Sequence, residues 1–217
     1  MNVYAIVAGG PSFYYPDLLS FKKENIIWVG VDRGVHYLLQ KGLKPSIAFG
    51  DFDSLTKKER EYVFQNVTNI HRYPKDKDAT DLELALEWVV AREPAQILIF
   101  GATGGRLDHA LINLQLLVKS VRSGREVLMI DKQNIVTVKE PGTYMIEKFD
   151  DYQYISFLPY TKKVHELTLQ GVKYPLNKQT IERGSSLCIS NEMVRKRVTI
   201  SFSDGLLIIV QSKDEKQ

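Results

Sequence analysis

Short apolar runs alternate with helical repeats of apolar residues over the first part of the chain. The runs at residues 3–8, 26–31 and 97–100 are typical of buried strands, and those at residues 46–49 and 126–130 fit the same pattern. Strands that alternate with helices predict an α/β unit with a largely parallel sheet.

Three helices are predicted between these strands. The first ends at Gly42. The second begins at a capping box, in which the Thr80 hydroxyl and the Glu83 carboxylate would each satisfy a free amide at the helix start. The third covers residues 107–120. Its predicted apolar face consists of Leu107, Ala110, Leu111, Leu114 and Val118.

After Lys132 the helical repeats give way to closely spaced short apolar runs, which predict a β-sandwich or barrel. These runs lie at residues 136–138, 144–146, 154–157, 164–169, 187–189, 198–202 and 206–210. We therefore expect an N-terminal domain with an open, largely parallel α/β sheet at residues 1–133. A C-terminal all-β sandwich or barrel domain should follow at residues 134–217.

Composition excludes several classes of protein. The chain has 217 residues, and its 44% hydrophobic and 25% charged residues are ordinary for a globular protein. A net charge of +3 without a basic stripe argues against a nucleic-acid partner. The start resembles neither a signal peptide nor a membrane span, and Cys188 is the single cysteine. We expect a cytoplasmic protein with no membrane partner.

Aspartates recur where the predicted strands of the first domain end. They are Asp32, Asp51, Asp53, Asp76, Asp78 and Asp81. The carboxyl ends of parallel strands line one rim of a sheet, and residues two apart in an extended chain point the same way. Converging carboxylates would repel one another without a cation. Mg²⁺ takes oxygen ligands, and no cysteine–histidine pattern competes for a softer metal.

A plainer interpretation of each aspartate is a turn or cap residue, because the side chain bonds nearby amides. Asp81 could simply favour the positive end of a helix. The hypothesis of a metal site therefore depends on two Asp-x-Asp pairs within one short α/β unit. Four further aspartates are interpreted as surface or turn residues: Asp17, Asp131, Asp150 and Asp151.

A glycine-rich turn at residues 101–105 follows a predicted strand and opens a helix. Glycines allow backbone amides to approach an anion, and Arg106 can bind phosphate oxygens with two parallel hydrogen bonds. Arg106, His109 and Asn113 share one helix face. The turn is neither a Walker A loop nor a full dinucleotide fingerprint. The alternative is a helix start with Asp108 near its cap. Together with the aspartates, the turn predicts Mg²⁺-dependent group transfer from a nucleoside triphosphate to a small molecule.

Three strings in order carry a resemblance to a known family. They are GDFDS at residues 50–54, DKDATD at residues 76–81 and GGRLDH at residues 104–109. Together they resemble the thiamine pyrophosphokinase family of the bacterial type. GVKYPL at residues 171–176 and SNE at residues 190–192 resemble the C-terminal β-domain of that family.

The resemblance implies an activity and an assembly. The reaction would take thiamine and ATP to thiamine diphosphate and AMP, with ATP as co-substrate and Mg²⁺ as cofactor. Members of the family are typically homodimers, with the active site between the α/β domain of one subunit and the β-domain of the other.

The resemblance also assigns roles to residues. Mg²⁺ would be held by Asp51, Asp53 and Asp78, with Asp32 close by. The catalytic set would be Asp51, Asp53, Asp78 and Asp81, and Asp78 or Asp81 is favoured over Asp51 as the base. The nucleotide would be bound by Lys77, Thr80, Gly104, Arg106, Asp108 and His109. Thiamine would face Tyr174, Ser190 and Asn191. Both tryptophans, Trp28 and Trp88, lie in the first domain, so stacking on thiamine would require a tyrosine, a phenylalanine or another arrangement.

Two other functions remain open. A Mg²⁺-dependent hydrolase of nucleotides or phosphate esters would show the same acidic cluster, with water as the nucleophile. A non-enzymatic module that binds thiamine or a nucleotide would bind without turnover.

Overall fold

The structure is a computed structural model that describes residues 2–21, 25–72, 78–149 and 151–215. The chain divides into two compact units, Met1–Lys132 and Gln133–Gln217. Each unit has its own sheet architecture.

In the described part of the first unit, the sheet consists of six parallel strands. They are β1 (Val3–Val7), β2 (Ile26–Val31), β3 (Ile47–Phe49), β4 (Ile70–His71), β5 (Gln96–Phe100) and β6 (Glu126–Ile130). Their order across the sheet is β6-β5-β1-β2-β3-β4, and every pairing is parallel. The central strands are buried on both faces, which explains why they are continuous apolar runs.

Among the residues that the structure describes, this unit also has four α-helices: α1 (Arg33–Gln40), α2 (Lys57–Asn66), α3 (Asp81–Val90) and α4 (Leu107–Val121). Two short 3₁₀ helices, Ser12–Tyr14 and Leu18–Phe21, follow β1. Helix α2 is not predicted from the sequence, because Val63 is its one buried residue. The start of α2 has a complete capping box, in which Thr56 and Glu59 satisfy each other's amides.

The predicted apolar face of α4 is only partly correct: Val118 is buried and Ala110 and Leu114 are partly buried, but two of its leucines are exposed. Leu107 is 72% exposed and Leu111 is 53% exposed. The buried face includes the polar residues Asn113 and Ser120. Burial is possible there because the Asn113 amide donates to the Ala102 carbonyl at 2.8 Å and the Ser120 hydroxyl bonds within the helix.

Residues 133–149 and 151–215 of the second unit form eight strands. They are β7 (Asn134–Lys139), β8 (Gly142–Glu147), β9 (Tyr154–Pro159), β10 (Lys163–Gln170), β11 (Leu176–Glu182), β12 (Asn191–Glu192), β13 (Arg197–Phe202) and β14 (Leu207–Ser212). They form two antiparallel arrangements, β12-β9-β14-β7 and β11-β10-β13-β8. Side chains of both, among them Phe157, Ile209, Leu167 and Ile200, share one core. The fold class is therefore confirmed: a parallel α/β unit followed by an all-β sandwich.

Two elements of this unit differ from the prediction. Residues 187–189, predicted as a strand, form a turn that contains the buried Cys188. The strand β11 is not predicted because four consecutive residues in it are exposed and polar. Apolar content marks burial here more reliably than it marks a strand.

None of the helices in the described ranges has the length and apolar character needed to cross a bilayer.

Candidate active site

A cavity of about 810 Å³ lies in the first unit, at the carboxyl ends of β1, β2 and β5. Strand β1 pairs with β2 on one side and with β5 on the other, so the direction of strand addition reverses there. In open parallel sheets, ligands bind in the crevice at such a reversal. The volume is in the range of small-molecule sites.

The loops after β1 and β5 form facing walls of this cavity. The Gly10 amide donates to the Gly101 carbonyl at 2.9 Å. Gly104 has φ +77°, and a Cβ at this position would overlap the Tyr14 ring. Gly104 therefore packs the two loops together, and the neighbouring Gly105 lines the cavity.

The loop after β1 is a part of the site that the sequence analysis missed. Residues 9–12 line the cavity. The available signal was the string Gly-Gly-Pro-Ser directly after the first buried strand, which was interpreted only as a strand end.

Asp32 lies at the carboxyl end of β2 and lines the cavity. Its backbone has φ +48°, and its N–H donates to the Phe49 carbonyl at 2.9 Å. Its side chain makes no capping bond to α1. The carboxylate instead lies against Gly50, where a Cβ would overlap the Asp32 oxygen. This contact brings Asp32 to the loop that contains Asp51, and strained backbone of this kind is common at functional sites.

The extended geometry expected for Asp51 and Asp53 is wrong. Phe52 between them has φ +61° and is fully buried. It packs edge-on against Phe64. This burial bends the chain into a turn, in which Asp51 Oδ1 accepts a hydrogen bond from the Asp53 N–H at 2.9 Å. Asp51 is half-buried and Asp53 is exposed, and neither belongs to the cavity lining, whereas Ser54 does.

Of the second acidic string, residues 76–81, only a part lines the cavity. Asp76 and Lys77 lie outside the described residues. Asp78 is exposed and is not part of the cavity lining, whereas Thr80 and Asp81 line it. The Thr80 hydroxyl accepts from the Glu83 N–H at 3.2 Å, as the capping box predicts.

The other half of that capping box is replaced by a different contact. The Glu83 carboxylate accepts a hydrogen bond from Lys119 Nζ at 2.9 Å. The first turn of α3 is therefore fixed by the Thr80 hydroxyl on one side and by α4 on the other.

Arg106 and Asp108 form a two-bond pair at the start of α4. Arg106 Nε donates to Asp108 Oδ1 at 3.1 Å, and Nη2 donates to Oδ2 at 2.5 Å. The Arg106 hydrogen bond lowers the pKa of Asp108 to about 2, and the His109 amide contributes. Arg106, His109 and Asn113 line the cavity; Asp108 is not among the lining residues. Asp108 thus holds the arginine rather than facing the cavity itself.

A second group of polar residues in the cavity was also missed. Arg33, the first residue of α1, donates to the Ser54 carbonyl and, at 3.4 Å, to Glu59 Oε1. His36 Nδ1 lies 3.6 Å from the same carboxylate oxygen. All four residues line the cavity. The signal was the position of Arg33 next to Asp32, at the carboxyl end of a strand, which was interpreted only as a helix start.

An aromatic pair completes the wall. The rings of Tyr15 and Tyr37 stack with centroids 4.1 Å apart and an interplanar angle of 16°. The Tyr15 hydroxyl donates to the Ala8 carbonyl, and burial raises the pKa of that hydroxyl. Both tyrosines line the cavity and remain neutral, which suits them to contact a flat ring rather than to exchange protons.

In the second unit, the predicted thiamine residues are neighbours. Asn191 is 3% exposed, and its Oδ1 accepts from the Tyr174 N–H at 3.0 Å and from the Glu192 N–H at 2.9 Å. Its Nδ2 donates to the Tyr174 carbonyl at 2.8 Å. Ser190 has φ +54°, and its N–H donates to Ser156 Oγ at 2.9 Å. Tyr174 itself is 60% exposed.

Within the described residues, no group of three or more histidine, cysteine, aspartate or glutamate side chains is arranged to hold a metal ion. Mg²⁺ usually takes one or two protein carboxylates and completes its shell with waters and substrate phosphates. Asp32, beside Gly50 and Asp51, fits a site of that kind.

Comparison with known proteins shows the family to which the chain belongs. The family model "Thiamin pyrophosphokinase, catalytic domain" matches residues 18–129. The model "Thiamin pyrophosphokinase, vitamin B1 binding domain" matches residues 143–207. The chain is 49% identical to a thiamine pyrophosphokinase of Bacillus subtilis (strain 168) over 214 residues, which cover 99% of this chain and 100% of that protein.

Solved structures give the same relationship. A crystal structure of thiamine pyrophosphokinase from Bacillus subtilis superposes with a TM-score of 0.94 at 47% identity, covering 99% of this chain and 100% of that one. One from Geobacillus thermodenitrificans has a TM-score of 0.90 at 44% identity, covering 99% of both chains.

Proposed function

Because the chain belongs to the thiamine pyrophosphokinase family, we propose that it transfers the pyrophosphoryl group of ATP to the hydroxyl group of thiamine and releases AMP. As a member of that family it is a pyrophosphotransferase that forms thiamine diphosphate. The observation that carries the proposal is the cavity at the reversal point of the sheet. There the carboxylates of Asp32 and Asp81 and the guanidinium groups of Arg33 and Arg106 line one space.

The chemistry requires alignment and charge neutralisation more than covalent help. The thiamine oxygen forms a bond to the β-phosphorus of ATP, and the bond from that phosphorus to the oxygen bridging the α-phosphorus breaks. AMP leaves with that oxygen. The proton of the thiamine hydroxyl passes to a carboxylate of the site.

Asp81 is the better candidate for that proton acceptor. The sequence favours Asp78 or Asp81, and only Asp81 of the two lines the cavity. It lies in the first turn of α3, where the helix start favours a negatively charged side chain.

Mg²⁺ fits the oxygen ligands present and would neutralise charge on the triphosphate. Asp32 and Asp51 would hold it, since the Asp32 carboxylate lies against Gly50, the residue before Asp51. Asp53 and Asp78, which the resemblance assigns to the same site, belong to exposed segments beside these elements.

Two arginines supply positive charge for the phosphates. Arg106 is held by Asp108, and Arg33 by the Ser54 carbonyl and Glu59. Both guanidinium groups are thus oriented before substrate arrives, and phosphate oxygens can take over the bonds that the carboxylates now accept. Thr80 and His109 line the same space and are the remaining nucleotide contacts that we propose. Gly104 contributes by packing the loop, and Lys77 lies outside the described residues.

We assign thiamine recognition to the second unit, around Tyr174 and Ser190. The exposed ring of Tyr174 offers a flat surface on which the pyrimidine of thiamine could stack. It would take the place of a tryptophan, which this unit lacks. A homodimer, with this surface completing the cavity of the partner subunit, is part of the proposal. The exposed apolar residues Leu187 and Val194 beside the thiamine residues support it.

Product analysis tests the proposal. The protein is mixed with ATP, Mg²⁺ and thiamine, and ³¹P NMR identifies the products. Equal amounts of AMP and thiamine diphosphate, formed only when thiamine is present, are expected. Free phosphate without an acceptor would indicate a hydrolase, and thiamine binding without turnover would indicate a binding module.

A further inference from the structure

Asp131 is a buried carboxylate that does not itself line the cavity. It directly follows β6 and is 5% exposed, so its interpretation as a surface or turn residue is wrong. Burying a carboxylate is costly unless hydrogen bonds compensate for the lost water.

The side chain of Asp131 holds the loop after β5. The Thr103 hydroxyl donates to Asp131 Oδ2 at 2.7 Å. Thr103 lies between Gly101 and Gly104, two glycines at positive φ, and it lines the cavity. Glycines leave the loop backbone with much conformational freedom, so a fixed side chain between them determines how the loop lies.

The next residue holds the other loop. The Lys132 N–H donates to the Tyr14 carbonyl at 2.8 Å, and the Lys132 ammonium lies 4.3 Å from the centre of the Phe13 ring. The Tyr14 ring fills the space beside Gly104. Two consecutive residues after β6 therefore bind the two loops that form the cavity walls. Asp131 binds the loop after β5 through its side chain, and Lys132 binds the loop after β1 through its backbone N–H.

We propose that Asp131 is a positioning residue for ATP: through Thr103 it sets the loop at residues 101–106 against the loop at residues 9–14. The proposal rests on the proposed function, because it takes this cavity as the triphosphate site. Backbone amides in such loops contact phosphates only at hydrogen-bond distance, so a loop that moves by an ångström loses much of its affinity.

Two substitutions and their combination test this proposal. Asp131→Ala removes the acceptor, and Thr103→Val removes the donor with little change of shape. Each should raise the dissociation constant of Mg-ATP, measured calorimetrically without thiamine, by about 10-fold. The dissociation constant of thiamine should stay within about two-fold. Because Asp131 acts through Thr103, the double variant should bind Mg-ATP no more weakly than either single variant.

Two controls separate positioning from general damage. Thr103→Ser keeps the hydroxyl and should bind ATP more tightly than Thr103→Val. Asp204→Ala alters an exposed aspartate of the second unit and should leave ATP affinity unchanged. If Asp131→Ala does not fold, the comparison of valine and serine at position 103 carries the test.

The outcomes also separate this proposal from the proposed function. Unchanged ATP affinity in Asp131→Ala and Thr103→Val, or effects that add in the double variant, would overturn the positioning role even if the wild type makes thiamine diphosphate. Weakened ATP binding in both variants would support it even if the wild type showed no turnover.

Discussion

The side-chain amide of Asn191 makes two hydrogen bonds to the backbone of Tyr174: it accepts from the N–H at 3.0 Å and donates to the carbonyl at 2.8 Å. This pattern is what a neighbouring strand would provide, supplied by one side chain. The amide oxygen also accepts from the Glu192 N–H. Asn191 is thereby committed to holding Tyr174, and the exposed Tyr174 ring is the group that can meet a ligand.

Replacing Asn191 should therefore weaken thiamine binding indirectly. In Asn191→Ala, the Tyr174 backbone loses both bonds, and we expect the KM for thiamine to rise by about 10-fold while the KM for ATP stays within about two-fold. Asn191→Asp keeps the acceptor but loses the donor, so its KM for thiamine should lie between those of the wild type and Asn191→Ala. The matched control is Asn177→Ala, an exposed asparagine of β11. Equal KM changes for both substrates would rule out a specific role.

Arg33 should contribute to ATP binding through the several N–H donors of its guanidinium group. Arg33→Ala removes a charge and two directed bonds from the cavity, and the dissociation constant of Mg-ATP should rise by about 10-fold or more. Arg33→Lys keeps the charge without the guanidinium group and should recover only part of this loss. Arg122→Ala, at an exposed position after α4, is the control. Full recovery by lysine would show that charge alone suffices.

The carboxylates should matter for turnover more than for folding. Asp32→Asn, Asp51→Asn, Asp78→Asn and Asp81→Asn should each lower kcat by orders of magnitude, with thermal unfolding near that of the wild type. The physical reason is the loss of charge needed to hold the metal or accept the proton. Asp204→Asn is the control. A near-normal rate in any of the four removes that residue from the proposed site.

Glu59 gives a prediction for stability against pH. Its pKa is held below the ordinary value of 4.5, first by the Thr56 backbone N–H, then by the Thr56 hydroxyl and the nearby Arg33 and His36. A lowered pKa in the folded state contributes stability above the ordinary value, and this contribution is lost as the pH falls through the lowered one. Near neutral pH, the wild type should have a higher urea concentration at its unfolding midpoint than Glu59→Gln. The difference between the two midpoints should shrink in acid.

The companion variant is Thr56→Ala, which should cost about 1 kcal/mol of unfolding free energy, the usual effect of losing such a cap. A difference between wild type and Glu59→Gln that persists unchanged in strong acid would mean that charge at Glu59 is not what stabilises this helix start.

Much of the fold can be predicted from the sequence, because buried parallel strands and sandwich strands produce apolar runs in the right order. Elements without such runs are not predictable in that way. The helix α2 buries Val63 alone, and β11 is largely exposed and polar. The apolar face of α4 misleads because Leu107 and Leu111 remain at the surface while Asn113 is buried.

The candidate site is predictable to the level of segments. Asp32 and parts of the strings that contain Asp81 and Arg106 do come together in one cavity. The orientation of side chains is not predictable from spacing, because the buried Phe52 turns the chain between Asp51 and Asp53. Arg33 and the loop at residues 9–12 carry no distinctive motif, and only the order of strands in the sheet brings them to the same place.

The most direct measurement follows the two outer phosphorus atoms of ATP separately. The protein is incubated with thiamine, Mg²⁺ and ATP labelled with ³²P at either the β- or the γ-position. Transfer of the whole pyrophosphoryl group puts both labels into thiamine diphosphate in equal amounts and leaves AMP unlabelled. A γ-label in the thiamine product with the β-label in ADP, or either label in free phosphate, would contradict pyrophosphoryl transfer.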